Sequence, residues 1–520
     1  MSSSSGESTS SQQRAGIHRK TWRSMAGLAA IAVVVASCGG SDGSAKGNSD
    51  PKATDTIDAS VCPVDALDKA DGPVDITVWH AWVGKTADTI EGIAADYNAS
   101  QDKVKVNVQS QGNYDEMLKK YTDAMADPKT LPDLIMNVDT SLQFMIDSET
   151  AIPAAACIKA DPESQKIYDD IIPAVTSAYT VQDVLWPGAF SVSEPVLYVN
   201  KSHFQAAGLS TDDLPKNLEE LRAASEKIME AKKTGVPELQ GVTQPMVLRL
   251  DSWYLEHWMT GDEVPIVNNE NGRSGLATKS LMDSPTVTTS FDWFKSMNDS
   301  GLLKAVPYSK PFDQLFAMAL GSSSMLIDTS TAITTVDAAI AGTLNNADIG
   351  AEDLGIDLSS LKGTFDSLSI GVGLNPGLTE AGKGQIGGAA WYLVDRDNPE
   401  TIAATWDFIK YSNDTPQQVR WTLEGSYLPT RKSALDDKAI QEDFKATRRG
   451  GWMAIATSGL DSLDPKHPGP VIGPYNEFRK TYRDALEHVT LGGKDVASTV
   501  KSSNEAFQQS LDRYKADVEG

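Results

Sequence analysis

The sequence predicts an α/β protein of two lobes, the first of which opens as a doubly wound sheet. Two observations carry this. Early in the folded part, segments that alternate apolar and polar residues take turns with segments that repeat at helical spacing. That is the strand–helix–strand order of a parallel sheet with helices on its faces. The chain also has 520 residues, and setting aside a leader and tether leaves roughly 450, enough for two separate cores.

Val74, Ile76 and Val78 alternate with polar residues and predict a strand that ends in Trp79–Gly84. Ile90, Ile93, Ala94 and Tyr97 recur on one helical face, and Val104, Val106 and Val108 form a second strand. Met117, Leu118, Tyr121 and Met125 make another helical stripe before a buried third strand within Pro132–Asp139. Ligands of such sheets sit beyond the carboxyl ends of the strands. Here those ends carry Trp79–Trp82, Gly112–Tyr114 and Asp139. Phe190–Asn200 reads as a single apolar strand, and about Leu218–Lys232 as a long amphipathic helix. The Pro-, Gly- and Asn-rich stretch holding Trp253, Trp258 and Trp293 reads as mostly irregular. Phe312–Leu320 is helical in pattern, Ser324–Asp328 is strand-like, and Thr334–Asp366 carries only weak signals. Gly387–Val394 is a strand, Glu400–Tyr411 a strongly patterned helix, and Tyr475–Tyr514 two helices broken at Leu491–Gly493. Trp293 and Trp406, on helical stripes, are assigned to the core.

At the N-terminus, Arg14, Arg19, Lys20 and Arg23 precede an uncharged apolar run that begins at Met25. The run is roughly a dozen residues, short of the about 20 that a spanning helix needs. It ends in Val35–Cys38, which resembles the bacterial lipobox, whose Cys is lipidated and becomes the mature N-terminus. Residues 1–37 are then a signal peptide and 38–71 a flexible Gly- and Ser-rich tether. The expected location is the extracellular face of the membrane, lipid-anchored through Cys38. An ordinary cleaved signal or a buried helix is the competing reading. Two of the three cysteines remain, Cys62 and Cys157, and an even pair in an oxidising setting favours a disulfide. The alternative is two separate buried thiols. Two cysteines are too few for a structural zinc site.

A net charge of −25 argues against nucleic acid and anionic membrane surfaces as partners. The sequence has no Walker-type phosphate loop, no Gly-x-Ser-x-Gly and no His-Glu-x-x-His. Gly371–Gly373 lacks the third glycine of a dinucleotide site. With six histidines, metal chemistry is not expected, and no cofactor is called for. What remains is a set of aromatics and short polar side chains at predicted element ends. Sugars and polyols are held this way, an aromatic face against the C–H face of the ring and polar groups on the hydroxyls. Trp82, Tyr114, Trp253 and Tyr427 are candidate faces. Asp139, Glu194, Thr329 and Ser330 are candidate hydrogen-bonding groups. For any single Trp the competing reading is core packing.

Four segments, in their order along most of the mature chain, resemble the extracellular solute-binding proteins of ABC importers for sugars and polyols. They are Val74–Trp82, Leu131–Ile135, Glu194–Lys201 with Ala207–Leu209, and Gly425–Arg431. Gln111–Tyr114, Ile386–Ala389 and Gly425–Pro429 resemble the glycerol-3-phosphate-binding branch. The resemblance implies a two-lobed periplasmic-binding-protein-like fold with a hinge and an interlobe ligand cleft. Lobe one would comprise residues 72–190 plus 391–440, and lobe two 191–390 plus 441–520. It implies that Tyr114, Asp139, Ser193, Trp253, Ser330, Gly388 and Tyr427 face the ligand, and that a monomer hands it to a membrane permease without chemistry. Val471 stands where the branch has a phosphate-pairing Arg. Losing a bidentate partner lowers phosphate affinity, so an uncharged sugar or oligosaccharide is favoured. A glycerophosphodiester or glycerol-3-phosphate is the alternative ligand. A cell-surface glycoside hydrolase is the alternative of another class and needs two carboxylates flanking the scissile bond. A peptide-binding lipoprotein has no backbone-recognition feature in its favour.

Overall fold

The computed structural model describes residues 57–310, 312–345 and 368–519. The leader, Cys38 and all but the last part of the tether lie outside these residues, as does most of the weakly patterned Thr334–Asp366 stretch. Among the described residues no helix is long and apolar enough to cross a membrane.

Thirteen strands are described: β1 (Val74–His80), β2 (Val104–Ser110), β3 (Leu134–Val138), β4 (Ala151–Ile152), β5 (Thr180–Val181), β6 (Val184–Leu185), β7 (Gly188–Ser193), β8 (Pro195–Asn200), β9 (Met246–Arg249), β10 (Leu303–Val306), β11 (Met325–Thr329), β12 (Ile370–Leu374) and β13 (Gly387–Val394). They build two main sheets, one per lobe. In lobe one the order is β2-β1-β3-β13-β4, with β7 also paired to β13. In lobe two the order is β10-β9-β11-β8-β12. The remaining pair, β5 and β6, is a small hairpin.

The opening of lobe one is parallel, β1 lying parallel to both β2 and β3. The sheet as a whole is mixed rather than parallel, because β13 runs antiparallel to β3, β4 and β7. β13 enters from the second sheet and not through a crossover helix, so nothing imposes the parallel sense on it. The expected single strand over Phe190–Asn200 is two strands in different sheets. It breaks at Glu194, where Pro195 cannot donate to a continuing ladder. This break and the Leu374-to-Gly387 connection carry the chain between lobes.

The faces of β8 show how the core divides. Val196 and Tyr198 join the cluster that fills lobe one and continues over one face of the second sheet through Val247, Leu326 and Val372, while Leu197 and Val199 join a second cluster on its other face. The second is closed by helices Leu218–Lys233, Trp253–Gly261, Pro285–Asp299, Tyr475–Thr490 and Val496–Glu519. Two of these helices occupy the stretch expected to be irregular. Buried Leu255, Trp258, Phe291 and Trp293 hold them, and Ser284 caps the second by accepting from the Val287 amide. Trp293 and Trp406 are buried, as expected. Cys62 and Cys157 are joined in a disulfide with their Cα atoms 5.1 Å apart.

Candidate ligand site

The strand ends of lobe one build an aromatic wall. Trp82 follows β1 and donates its indole N–H to the Tyr427 hydroxyl at 3.2 Å. Tyr427 stacks on Trp421 with centroids 5.4 Å apart, and its hydroxyl also bonds to that of Tyr114. Tyr427 is placed by the left-handed Ser426 (φ 69°), which ends helix Thr415–Gly425. Tyr114 is the first residue of helix Tyr114–Ala124, whose N-terminus is fixed by a reciprocal capping box between Asn113 and Glu116. Trp82 is only 4% exposed and packs on Phe190, Trp391 and Trp421, so it offers an edge rather than a face.

A cavity of about 320 Å³ lies against this wall. Trp82, Tyr114, Ser426 and Tyr427 line it from lobe one, with Lys85 and Thr86 beside them. Phe312, Thr331, Thr334, Thr335 and Ala338 line it from lobe two. The Thr334 hydroxyl is buried and has no hydrogen-bond partner among the described residues. Helix Ala332–Ile340 supplies Thr334, Thr335 and Ala338 of this second wall.

The other expected residues gather at the crossing between lobes. A Cβ on Gly387 would lie 3.2 Å from both the Ser193 hydroxyl and the Trp253 ring, so these three meet. Gly388 pairs with Val192, and a Cβ there would come within 2.4 Å of the Ser191 carbonyl. Its φ of +129° is a second reason for glycine. The Ser330 hydroxyl accepts from the Glu194 amide at 3.2 Å, and the Ser330 amide donates back to the Glu194 carbonyl at 2.7 Å. Ser330 therefore fastens the crossing. The Glu194 carboxyl turns away from the cavity toward Gly459, and burial pushes its pKa well above the usual carboxylate range. The Thr329 hydroxyl pairs with that of Thr331, and its carbonyl accepts from Tyr198. Of the expected residues, then, Trp82, Tyr114 and Tyr427 share the interlobe cavity. Ser193, Glu194, Trp253, Ser330 and Gly388 cluster at the crossing, and Thr329 ends β11 beside Thr331.

Asp139 opens the turn after β3. Its carboxylate accepts from its own amide and that of Thr140. Burial pushes its pKa up to about 7; the Arg479 guanidinium opposes the rise and Glu256 adds to it. Tyr114, Tyr179, Tyr392 and Tyr427 all feel its charge. Facing it from lobe two is a network that sequence reasoning missed. Arg479 donates to Glu256 from Nε at 2.9 Å and from Nη2 at 2.7 Å, and the Tyr475 hydroxyl donates to the same carboxylate at 3.1 Å. Glu256 is fully buried, so both of its oxygens are committed. The other missed group is Phe312 and the Thr331–Thr335 hydroxyls. The signal available for it was the run of hydroxyl residues from Thr329 to Thr335, directly after a strand.

Among the described residues, one trio could offer three ligand atoms to a metal: Glu263, Asp464 and His467. All three are exposed and none lines the interlobe cavity.

Comparison with known proteins places this architecture. Residues 92–447 match the family model of the bacterial extracellular solute-binding protein. The sn-glycerol-3-phosphate-binding periplasmic protein UgpB of Yersinia pseudotuberculosis is 23% identical over 450 residues, covering 85% of this chain and 93% of that protein. Among solved structures, the sugar-binding protein MalE of Xanthomonas citri superposes with a TM-score of 0.66 at 16% identity, over 86% of this chain and 99% of its own. UgpB of Mycobacterium tuberculosis, solved with glycerophosphocholine, gives a TM-score of 0.61 at 17% identity, over 85% and 99%.

Proposed function

The chain belongs to the bacterial extracellular solute-binding proteins, and from that premise we propose that it is the lipid-anchored capture component of an ABC importer for a sugar, oligosaccharide or related polyol. It binds the solute between its lobes and passes it to a membrane permease; it performs no reaction of its own. The interlobe cavity carries this reading. One wall is aromatic and the other is a row of threonines. A buried hydroxyl without a partner, as at Thr334 among the described residues, costs roughly 1–3 kcal/mol. A ligand hydroxyl reaching it removes that cost. A volume of about 320 Å³ is at the lower end of small-molecule pockets. Asp139, Trp253, Ser193 and Gly388 extend the site toward the crossing, and contact with both lobes is what makes a ligand favour closure.

A phosphodiester is the second reading, supported by the glycerophosphocholine in the Mycobacterium tuberculosis neighbour. Two features weigh against it here. Val471 is buried against the Asn271–Gly272 turn, and Arg479 is already occupied by Glu256. A thermal-shift panel of maltotriose, ribitol and glycerophosphocholine tests both readings, because a ligand raises the melting midpoint by mass action. A rise with maltotriose or ribitol alone supports the neutral-ligand reading. A rise with glycerophosphocholine alone overturns it.

A further inference from the structure

Away from the cavity, Arg273 and Tyr514 of lobe two reach lobe one directly. Arg273 sits just after the Asn271–Gly272 turn, whose neighbours Val267 and Ala277 pack in the lobe-two core. Its guanidinium makes six hydrogen bonds, all to backbone carbonyls. Nη1 donates to Ser177 (3.1 Å), Ala178 (3.3 Å) and Thr180 (3.1 Å). Nη2 donates to Ala178 and Pro468, both at 3.2 Å, and Nε to Gly469 at 2.7 Å. Ser177 and Ala178 end helix Pro173–Ala178 in lobe one, where carbonyls lack an onward helical partner, and Thr180 opens β5 just beyond it. Pro468 and Gly469 begin the strap that leads to helix Tyr475–Thr490. At the other end of that strap, Gly473 lies under the Tyr514 ring; a Cβ there would come 2.1 Å from it. The Tyr514 hydroxyl donates to Asp147 of lobe one at 2.7 Å. Asp147 is held in turn by the Gln143 amide, 2.9 Å from each oxygen. The strap is thus flanked at both ends by bonds that join the lobes.

We propose that Arg273 is a positioning residue for ligand capture: with Tyr514 it clasps lobe two and the 468–473 strap to lobe one, and it holds the lobes near the closed arrangement before any ligand arrives. The inference rests on reading the chain as a two-lobed capture protein. A clasp of this kind raises apparent affinity without touching the ligand, since the observed Kd is the intrinsic value divided by the fraction of binding-competent molecules. If losing the clasp lowers that fraction tenfold, affinity falls about tenfold.

The decisive measurement needs no ligand. Small-angle scattering of the purified chain gives its radius of gyration for the wild type, Arg273→Met and Tyr514→Phe. Both variants should be more expanded than the wild type while keeping its circular-dichroism spectrum, and Arg273→Met should be the more expanded. A clasp that only adds stability would lower the melting midpoint and leave the folded dimensions unchanged; that result overturns the proposal. Tyr514→Phe removes a single hydroxyl, so it decides alone if Arg273→Met does not fold. Titration with maltotriose separates the two claims. If the variants expand but the wild type ignores maltotriose and ribitol, the clasp stands and the sugar reading fails. If the wild type binds sugar and the variants neither expand nor lose affinity, the clasp fails and the capture reading stands.

Discussion

Asp139 holds its carboxyl between opposing fields, and that sets a pH dependence of definite sign. In the fold its pKa is up at about 7, against an ordinary value of 3.8, with burial as the main cause. Between those values the folded chain keeps a proton that the unfolded chain has released. Stability therefore falls as pH rises through this window, and the penalty is complete above about pH 7. Asp139→Asn stays neutral and escapes the penalty. Its melting midpoint should exceed that of the wild type at about pH 8, and the gap should close toward pH 4 or so. A gap that widens on acidification excludes the assignment. At this scale the sequence was partly legible. Tyr114 was a candidate because it follows the end of the second predicted strand, and the fold places it at the cavity. Tyr427 was a candidate through the Gly425–Arg431 turn, whose resemblance placed it between the lobes. Glu256 and Arg479 were not candidates. Each lies within a helix, where an isolated charge reads as a solvated face, and only the packing of Trp253–Gly261 against Tyr475–Thr490 buries them together.

Elements were legible where periodicity was strong and bounded. The three opening strands and the Pro399–Asn413 helix fall close to their expected spans. The β7–β8 break was hidden because both halves are apolar, and only the second sheet reveals that Glu194 is a crossing. The Trp253–Trp293 stretch misled because its Pro and Asn residues occupy turns and N-termini rather than helix interiors; Pro285 is the first residue of its helix. Two tests belong here. Gly388→Ala forces a Cβ to within 2.4 Å of the Ser191 carbonyl at a φ of +129°, so the β7–β13 pairing must shift. A loss of roughly 1–3 kcal/mol in urea unfolding is expected; an unchanged midpoint would show the backbone there to be adjustable. The disulfide pins the Ala59–Val61 turn to helix Ala154–Ala160 across 95 residues of sequence. A loop of that length corresponds to at most about 4–5 kcal/mol in the chain-entropy account. Reduction should lower the melting midpoint, and non-reducing mass spectrometry should find no free thiol at Cys62 or Cys157.

The whole molecule adds what neither residues nor elements specify: which strand ends face each other across a gap. Periodicity marked the opening sheet of lobe one, but the pairing of a lobe-one aromatic wall with lobe-two threonines depends on the crossings between lobes and the angle they set. Anchoring also belongs to this scale. With the described helices all too short or too polar to span a bilayer, Cys38→Ser should move the protein from the membrane fraction to the medium. Retention in the membrane would mean that something other than lipid holds it. The cavity makes the sharper demand. If a sugar binds there, hydrogen-bonding groups on both lobes must contribute, because one-sided contact gives no preference for the closed state. Tyr427→Phe deletes a hydroxyl from the lobe-one wall, and Thr334→Val deletes one from the lobe-two wall at nearly constant volume. Each loses a hydrogen bond worth about 1 kcal/mol, or more if its partner is left buried, so each should weaken maltotriose binding roughly five- to tenfold. Their melting midpoints should diverge. Tyr427 also bonds Trp82 and Tyr114, so its variant loses stability without ligand. The Thr334 hydroxyl has no partner to lose among the described residues, so its variant should melt at or above the wild-type temperature while binding less. If Thr334→Val keeps full affinity while Tyr427→Phe does not, the ligand rests on lobe one alone, and the cavity between the lobes is not where capture drives closure.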